Sequence, residues 1–187
     1  DALKIAPDEP SARFLLKEAV GRQYAYAKKW LEARQWLDQA LVEPVVGYAT
    51  VQLDALVFAS VALGADDPTG ALDYVERAAS LSGLRPIARA RALAELCFAR
   101  HLARLPSEEV FSALDRAWET LLAHRNDSDE WKDLFVMLGH LTGYLREATT
   151  RAVGVVSVTE FATPRRGLFR GCNILSVNCP PVECERR

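Results

Sequence analysis

The sequence predicts an all-α fold assembled from a repeated pair of antiparallel helices, and three observations predict it. Helix endings centred on alanine recur at Ala2-Leu3, Ala40-Leu41, Ala78-Ala79 and Ala117-Trp118, separated by 38, 38 and 39 residues. Within the first helix of each unit, a bulky residue followed by a small one recurs at Val20-Gly21, Phe58-Ala59, Leu96-Cys97 and Leu138-Gly139, separated by 38, 38 and 42. The second helices share a face: Ala33, Leu37 and Ala40; Ala71, Val75 and Ala78; Val110, Leu114 and Ala117. Offsets of four and then three place such residues on one side of an α-helix. Evenly spaced two-helix units of this size stack as a solenoid, each burying surface only against its neighbours. The small residue lets the paired helix approach closely, and the bulky one fills the adjoining groove.

In chain order, "SARFLLKEAVGRQYAYAKKW" is dense in helix formers and "LEARQWLDQALVEP" is its partner. The second pair is "PVVGYATVQLDALVFASVALG" and "DDPTGALDYVERAASLSG". There Asp67 is the expected N-cap, Pro68 the first helical residue and Ser82-Gly83 the stop. The third pair is "PIARARALAELCFARHLARL" and "SEEVFSALDRAWETLLAHR", with Ser107 as the expected cap. "NDSDE" then opens a further helix, where Asp129 and Glu130 favour the N-terminal end of the helix dipole. No convincing second helix follows in that fourth unit. Trp30, Trp36, Trp118 and Trp131 are expected to pack between helices.

The boundary between the two expected regions falls at 150/151. Beyond it "AVGVVSVTEF" is β-branched and reads as strand or extended chain, followed by Pro-, Gly- and Arg-rich loop. This tail could cap the last repeat, cover the groove, begin a further domain or be disordered. It holds six arginines against three glutamates, +3, so a net charge of −2 for all 187 residues leaves −5 on the body. An acidic body gives no general basis for nucleic-acid binding. With 50% hydrophobic residues, a chain of this length buries roughly 70% of its unfolded surface.

No apolar run approaches the roughly 18 residues that span a bilayer, so no membrane partner is expected. "DALKIAPDEP" reads as the end of a helix begun upstream, so a piece of a longer array is expected, with a mature secreted chain as the alternative. One cysteine lies in the body and three in the tail. Cys172-x6-Cys179-x4-Cys184 lacks the paired spacing of structural zinc sites and has no nearby histidine. Free thiols in a reducing, cytoplasmic compartment are the preferred reading, ahead of a tail disulfide. Neither metal nor cofactor is expected.

At "VGRQY" (Val20–Tyr24) and "EARQWLDQALVEP" (Glu32–Pro44), with "IAP" at Ile5–Pro7 like the end of a preceding unit, the chain resembles the tetratricopeptide repeat family. The resemblance covers about Ala2 to Tyr144. It departs from the family in period, which is about 34 there. Lys17, Ala55, Leu93 and Phe135 also stand where that family has an early tryptophan. The resemblance implies a right-handed superhelical solenoid in which the first helix of each unit lines a concave groove. Carried across on the Gly21, Ala59, Cys97 and Gly139 register, the groove positions are Leu15, Glu18, Arg22 and Tyr26 in the first unit and Leu53, Leu56, Ser60 and Leu63 in the second. They are Arg91, Ala94, Phe98 and His101 in the third unit, and Asp133, Val136, His140 and Tyr144 in the fourth. Of these, Glu18, Arg22, Tyr26, Arg91, Phe98, His101, His140 and Tyr144 are the expected partner contacts, because Arg and aromatic residues dominate binding hot spots. The leucines of the second unit read as core or covered surface, and a groove so apolar in its middle favours a hydrophobic or amphipathic helix.

Arg165, Arg166 and Arg170 around Phe169 form a basic–aromatic cluster in the tail, suited to an acidic partner and equally to a solubilising loop. Cys97 and His101, four apart, share a helix face and could be metal ligands or a nucleophile–base pair. The repeat register explains Cys97 better, as the small packed residue. Nothing resembling a phosphate-binding glycine loop, GxSxG, HExxH or paired CxxC is present, and the carboxylates are scattered along solvated faces. The expected function is therefore a non-catalytic interaction module, a scaffold or adaptor that binds a peptide or amphipathic helix of another protein. A regulatory or sensor domain controlling a neighbouring enzyme domain is the first alternative. A nucleic-acid-binding array, disfavoured by charge, and a self-association module are the others.

Overall fold

Seven α-helices and no strand occur among the described residues of the computed structural model, which are 9–152 with Ala65 and Asp127 excepted. They are α1 (Pro10–Tyr26), α2 (Trp30–Leu41), α3 (Ala49–Leu63), α4 (Pro68–Ser80), α5 (Pro86–Leu102), α6 (Ser107–Ala123) and α7 (Asp129–Ala152). The all-α expectation holds. The extended segment, the basic–aromatic cluster and the three cysteines expected beyond residue 152 lie outside the described residues.

Pro10 opens α1, its fixed φ suited to a first helical position. Phe14, Glu18, Gly21 and Ala25 bury one face of that helix. It stops sooner than its helix formers suggest. Lys28 turns the backbone left-handed at φ +58°, with its N–H bonded to the Ala25 carbonyl and that of Lys29 to the Tyr24 carbonyl, both at 2.9 Å. Trp30, read from sequence as the end of the first helix, instead opens α2. Arg104 closes α5 the same way, also at φ +58°, with its N–H and that of Leu105 bonded 3.0 Å from the carbonyls of His101 and Arg100. Lys28 and Arg104 lie 76 residues apart, two periods of 38. The second unit turns instead on Gly64 at φ +53°.

Asp67 caps α4 as expected, its Oδ1 accepting from the Gly70 N–H at 2.9 Å. Ser107 does not cap α6: it is the first helical residue, after Pro106, and no side chain bonds the free N–H groups there. Ser128 holds the start of α7, its Oγ accepting from the Trp131 N–H at 3.2 Å.

Each helix touches only its nearest and next-nearest neighbours in the order. The expected faces of α2, α4 and α6 supply the contacts, and Ala33, Leu37, Ala40, Ala78 and Ala117 are fully buried. Burying a leucine such as Leu37 stabilises the fold by about 2 kcal/mol. Gly21 permits this approach, since a Cβ there would lie 2.7 Å from Leu37 Cγ. Ala59 and Cys97 are equally buried at the corresponding places. The register breaks in the fourth unit. Leu138 is buried, but Gly139 is exposed with nothing within 4 Å of its Cβ position, because no helix among the described residues pairs with that side of α7.

Polar contacts join the layers. Glu43, just beyond α2, accepts from Arg13 Nε at 3.0 Å and from Lys17 on α1, and these bonds hold its carboxyl below the usual range. The Tyr74 hydroxyl on α4 donates to Asp38 on α2. Trp131 is buried with its Nε1 donating to the Leu121 carbonyl, and Trp118 Nε1 donates to Thr142 Oγ1, both at 3.0 Å. Trp30 packs against the core of the first units, as an inter-helix tryptophan should. Trp36 is half-buried.

Candidate interaction surface

The backbones of the odd-numbered helices approach one another in sequence, α1 to α3, α3 to α5 and α5 to α7, whereas those of α2, α4 and α6 stand further apart, α2 and α4 meeting through the Tyr74–Asp38 side-chain bond. Side chains bridging the odd helices define a continuous face. At one end the Tyr26 ring meets Phe58 edge-on, with centroids 5.6 Å apart. In the middle Arg91 Nη1 donates to Asp54 Oδ1 at 2.8 Å. At the other end Tyr144 meets Phe98 at 6.4 Å and His101 at 5.5 Å between centroids. The residues expected in the groove thus come together in two groups: Phe98, His101 and Tyr144 as an aromatic cluster, and Glu18, Arg22 and Arg91 in a charged row.

That row contains two residues the sequence reading missed, Asp54 and Glu95. Glu18 is only 2% exposed and its Oε1 accepts no hydrogen bond, although Arg22 Nε lies 3.4 Å away. The ion-pair distance is met and the hydrogen-bond alignment is not. Burial pushes the Glu18 carboxyl above its ordinary range, Arg22 opposes the shift and the Asp54 charge adds to it. Burial likewise raises the Glu95 carboxyl against the opposing charge of Arg91. The central stretch therefore holds an Arg91–Asp54 ion pair, with Arg22 beside Glu18, and two carboxyls, Glu18 and Glu95, whose burial favours the protonated form.

Leu53, Leu56 and Leu63, which lie on the family's groove register but read as core or covered surface, are buried, and so are Ser60 and Ala94 of the same register. The helix α3 is rotated so that Asp54 takes the position assigned to Leu53. Asp133, Val136 and His140 are exposed on α7. Tyr26, at 61% exposure, is the most accessible of the expected contacts on α1. Arg165, Arg166, Phe169 and Arg170 lie outside the described residues.

Burial lowers the affinity of His101 for a proton, which keeps the ring neutral at pH 7. Cys97 is buried in the small-residue position, and burial pushes its thiol up to about 12, far from a reactive thiolate. Among the described residues no group of three or more His, Cys, Asp or Glu could hold a metal ion. Ser60, Glu95 and Phe98 help line a cleft of about 30 Å³ between α3, α4 and α5. A space of that size holds about one water and no metabolite. No helix among the described residues is long and apolar enough to cross a membrane. Compared with known proteins, the chain matches no family model, no curated protein and no solved structure.

Proposed function

We propose that this chain is a non-catalytic protein-interaction module, a right-handed TPR-like solenoid that receives a peptide or amphipathic helix on the face of α1, α3, α5 and α7. The observation that carries the reading is the packing pattern: the backbones of successive odd helices lie close together and those of successive even helices do not. An array closer-packed on one side bends toward that side, so the odd-helix face is the concave one. Its anchors are the exposed Tyr26 at one end and, at the other, the exposed Tyr144 with the half-buried His101, with the Arg91–Asp54 pair between them. Aromatic anchors flanking a charged centre suit an amphipathic helix that carries a basic residue at mid-length.

The test pairs Tyr26→Ala with His101→Ala and captures binding partners from native lysate, with circular dichroism as the control for folding. Truncating two anchors should weaken capture roughly tenfold or more, since a hot-spot side chain contributes more than about 1 kcal/mol. Undiminished capture by a folded double variant would remove the partner from this face.

A further inference from the structure

We infer that Glu18 and Arg22 form a proton-operated latch on the odd-helix face: ionised, Glu18 retains Arg22; protonated, it releases Arg22 to an acidic residue of the bound helix. The inference rests on the reading of that face as the binding surface and adds how the surface is regulated. Glu18 is 2% exposed, and its Oε1 accepts no hydrogen bond. A carboxylate taken out of water needs a countercharge and aligned donors to stay ionised. Its one cation is Arg22, a turn further along α1, with Nε 3.4 Å away and out of alignment. Arg22 is itself 38% exposed and donates no hydrogen bond to a described residue. The forked donors that match a carboxylate are thus unspent.

The neighbouring elements leave this pair to itself. Among the described residues α1 packs against α2 and α3. Asp54, the one charged residue of α3, is engaged by Arg91 Nη1 at 2.8 Å, and its charge works against ionised Glu18. On α2, Glu32 is exposed, and the Arg34–Asp38 pair, 3.5 Å apart, lies beside Tyr74 of α4. None of these three acts on Glu18. On α1 itself, Arg13 and Lys17 are bound to Glu43.

A proton and Arg22 therefore compete for the Glu18 carboxyl, burial favouring the proton and Arg22 opposing it. Protonation leaves the Arg22 charge uncompensated and open to an anion. By linkage, an anion that takes Arg22 draws a proton onto Glu18, so its binding strengthens as pH falls. Tyr26 stands four residues beyond Arg22 on the same side of the helix. The acidic residue of the partner then falls between the group packed on Tyr26 and the basic residue at mid-length.

Nuclear magnetic resonance of the full chain reads the latch without a partner, so its failure is distinct from a failure of the capture experiment. The Glu18 carboxyl carbon and Arg22 Nε are followed as pH rises from the ordinary carboxyl value of 4.5. Both resonances should move with one midpoint. Arg22→Gln should raise the Glu18 midpoint, because the opposing cation is gone. Trifluoroacetate, a carboxylate that stays ionised throughout, is the probe for Arg22, with chloride at equal concentration as the control. Its dissociation constant should be smaller by about threefold or more at the low end of the series than at the high end. Glu18→Gln should bind the probe at every pH as tightly as wild type does at the low end. An Arg22 signal that ignores the Glu18 titration, or a trifluoroacetate shift no larger than that of chloride, overturns the proposal. So does a pH dependence of probe binding that survives Glu18→Gln.

Discussion

At Glu18 and Glu95 the fold withdraws a carboxyl from water, and the protonation of both follows from that. Each has a folded-state affinity for protons raised above its ordinary value of 4.5, with burial as the first cause. The folded chain then binds more protons than the unfolded chain from pH 4.5 upward to the raised value, and stability falls as pH rises through that window. Glu43 acts in the opposite sense. Its lowered affinity contributes stability that is present above 4.5 and lost as pH falls below it. Glu95→Gln keeps the shape and removes the titration, so its melting temperature should exceed wild type by a few degrees at pH 7 and converge with it near pH 4. Melting curves across that range check the sign; a variant that loses stability at pH 7 would mean the Glu95 charge is needed by Arg91.

The contact of α1 with α2 rests on a glycine that meets its neighbour and the outer side of α7 on one that does not, so the two should respond oppositely. Gly21→Leu overpacks against Leu37 and should destabilise by about 1–3 kcal/mol. Gly139→Ala meets nothing within 4 Å and should gain about 0.5–1 kcal/mol from helix propensity alone. Thermal denaturation of dilute protein distinguishes them, and equal shifts would refute the register. The alanine and leucine faces of α2, α4 and α6 were legible in sequence because their spacing is local and their other sides are polar. The phase of α3 was not. Leu53, Leu56, Val57 and Phe58 are all buried, and a helix apolar nearly all round carries no periodicity from which to read which way Asp54 points. The end of α1 was hidden for a different reason: Lys28 adopts a left-handed conformation usually marked by glycine, so good helix formers ran on past the turn.

Among the described residues, two clusters of buried residues overlap on α4 and α5, one reaching back toward α1 and α2 and the other forward to α7. With contacts only between neighbours, the middle helices are held from both sides and the end helices from one. Amide hydrogen exchange should therefore be slowest in α3, α4 and α5 and quicken toward α1 and toward α7. Uniform protection would mean that the array unfolds as a single block. The nearest-neighbour pattern also bears on how the protein is made. The pair α1 and α2 holds its mutual contacts, including the Glu43 bonds to Arg13 and Lys17, within the stretch from Pro10 to Glu43. A nascent chain can close that pair while the rest is still being synthesised, and each later pair docks onto one already formed. Along the seven described helices, the ribosome thus delivers the array in its order of assembly, each helix emerging beside neighbours already made.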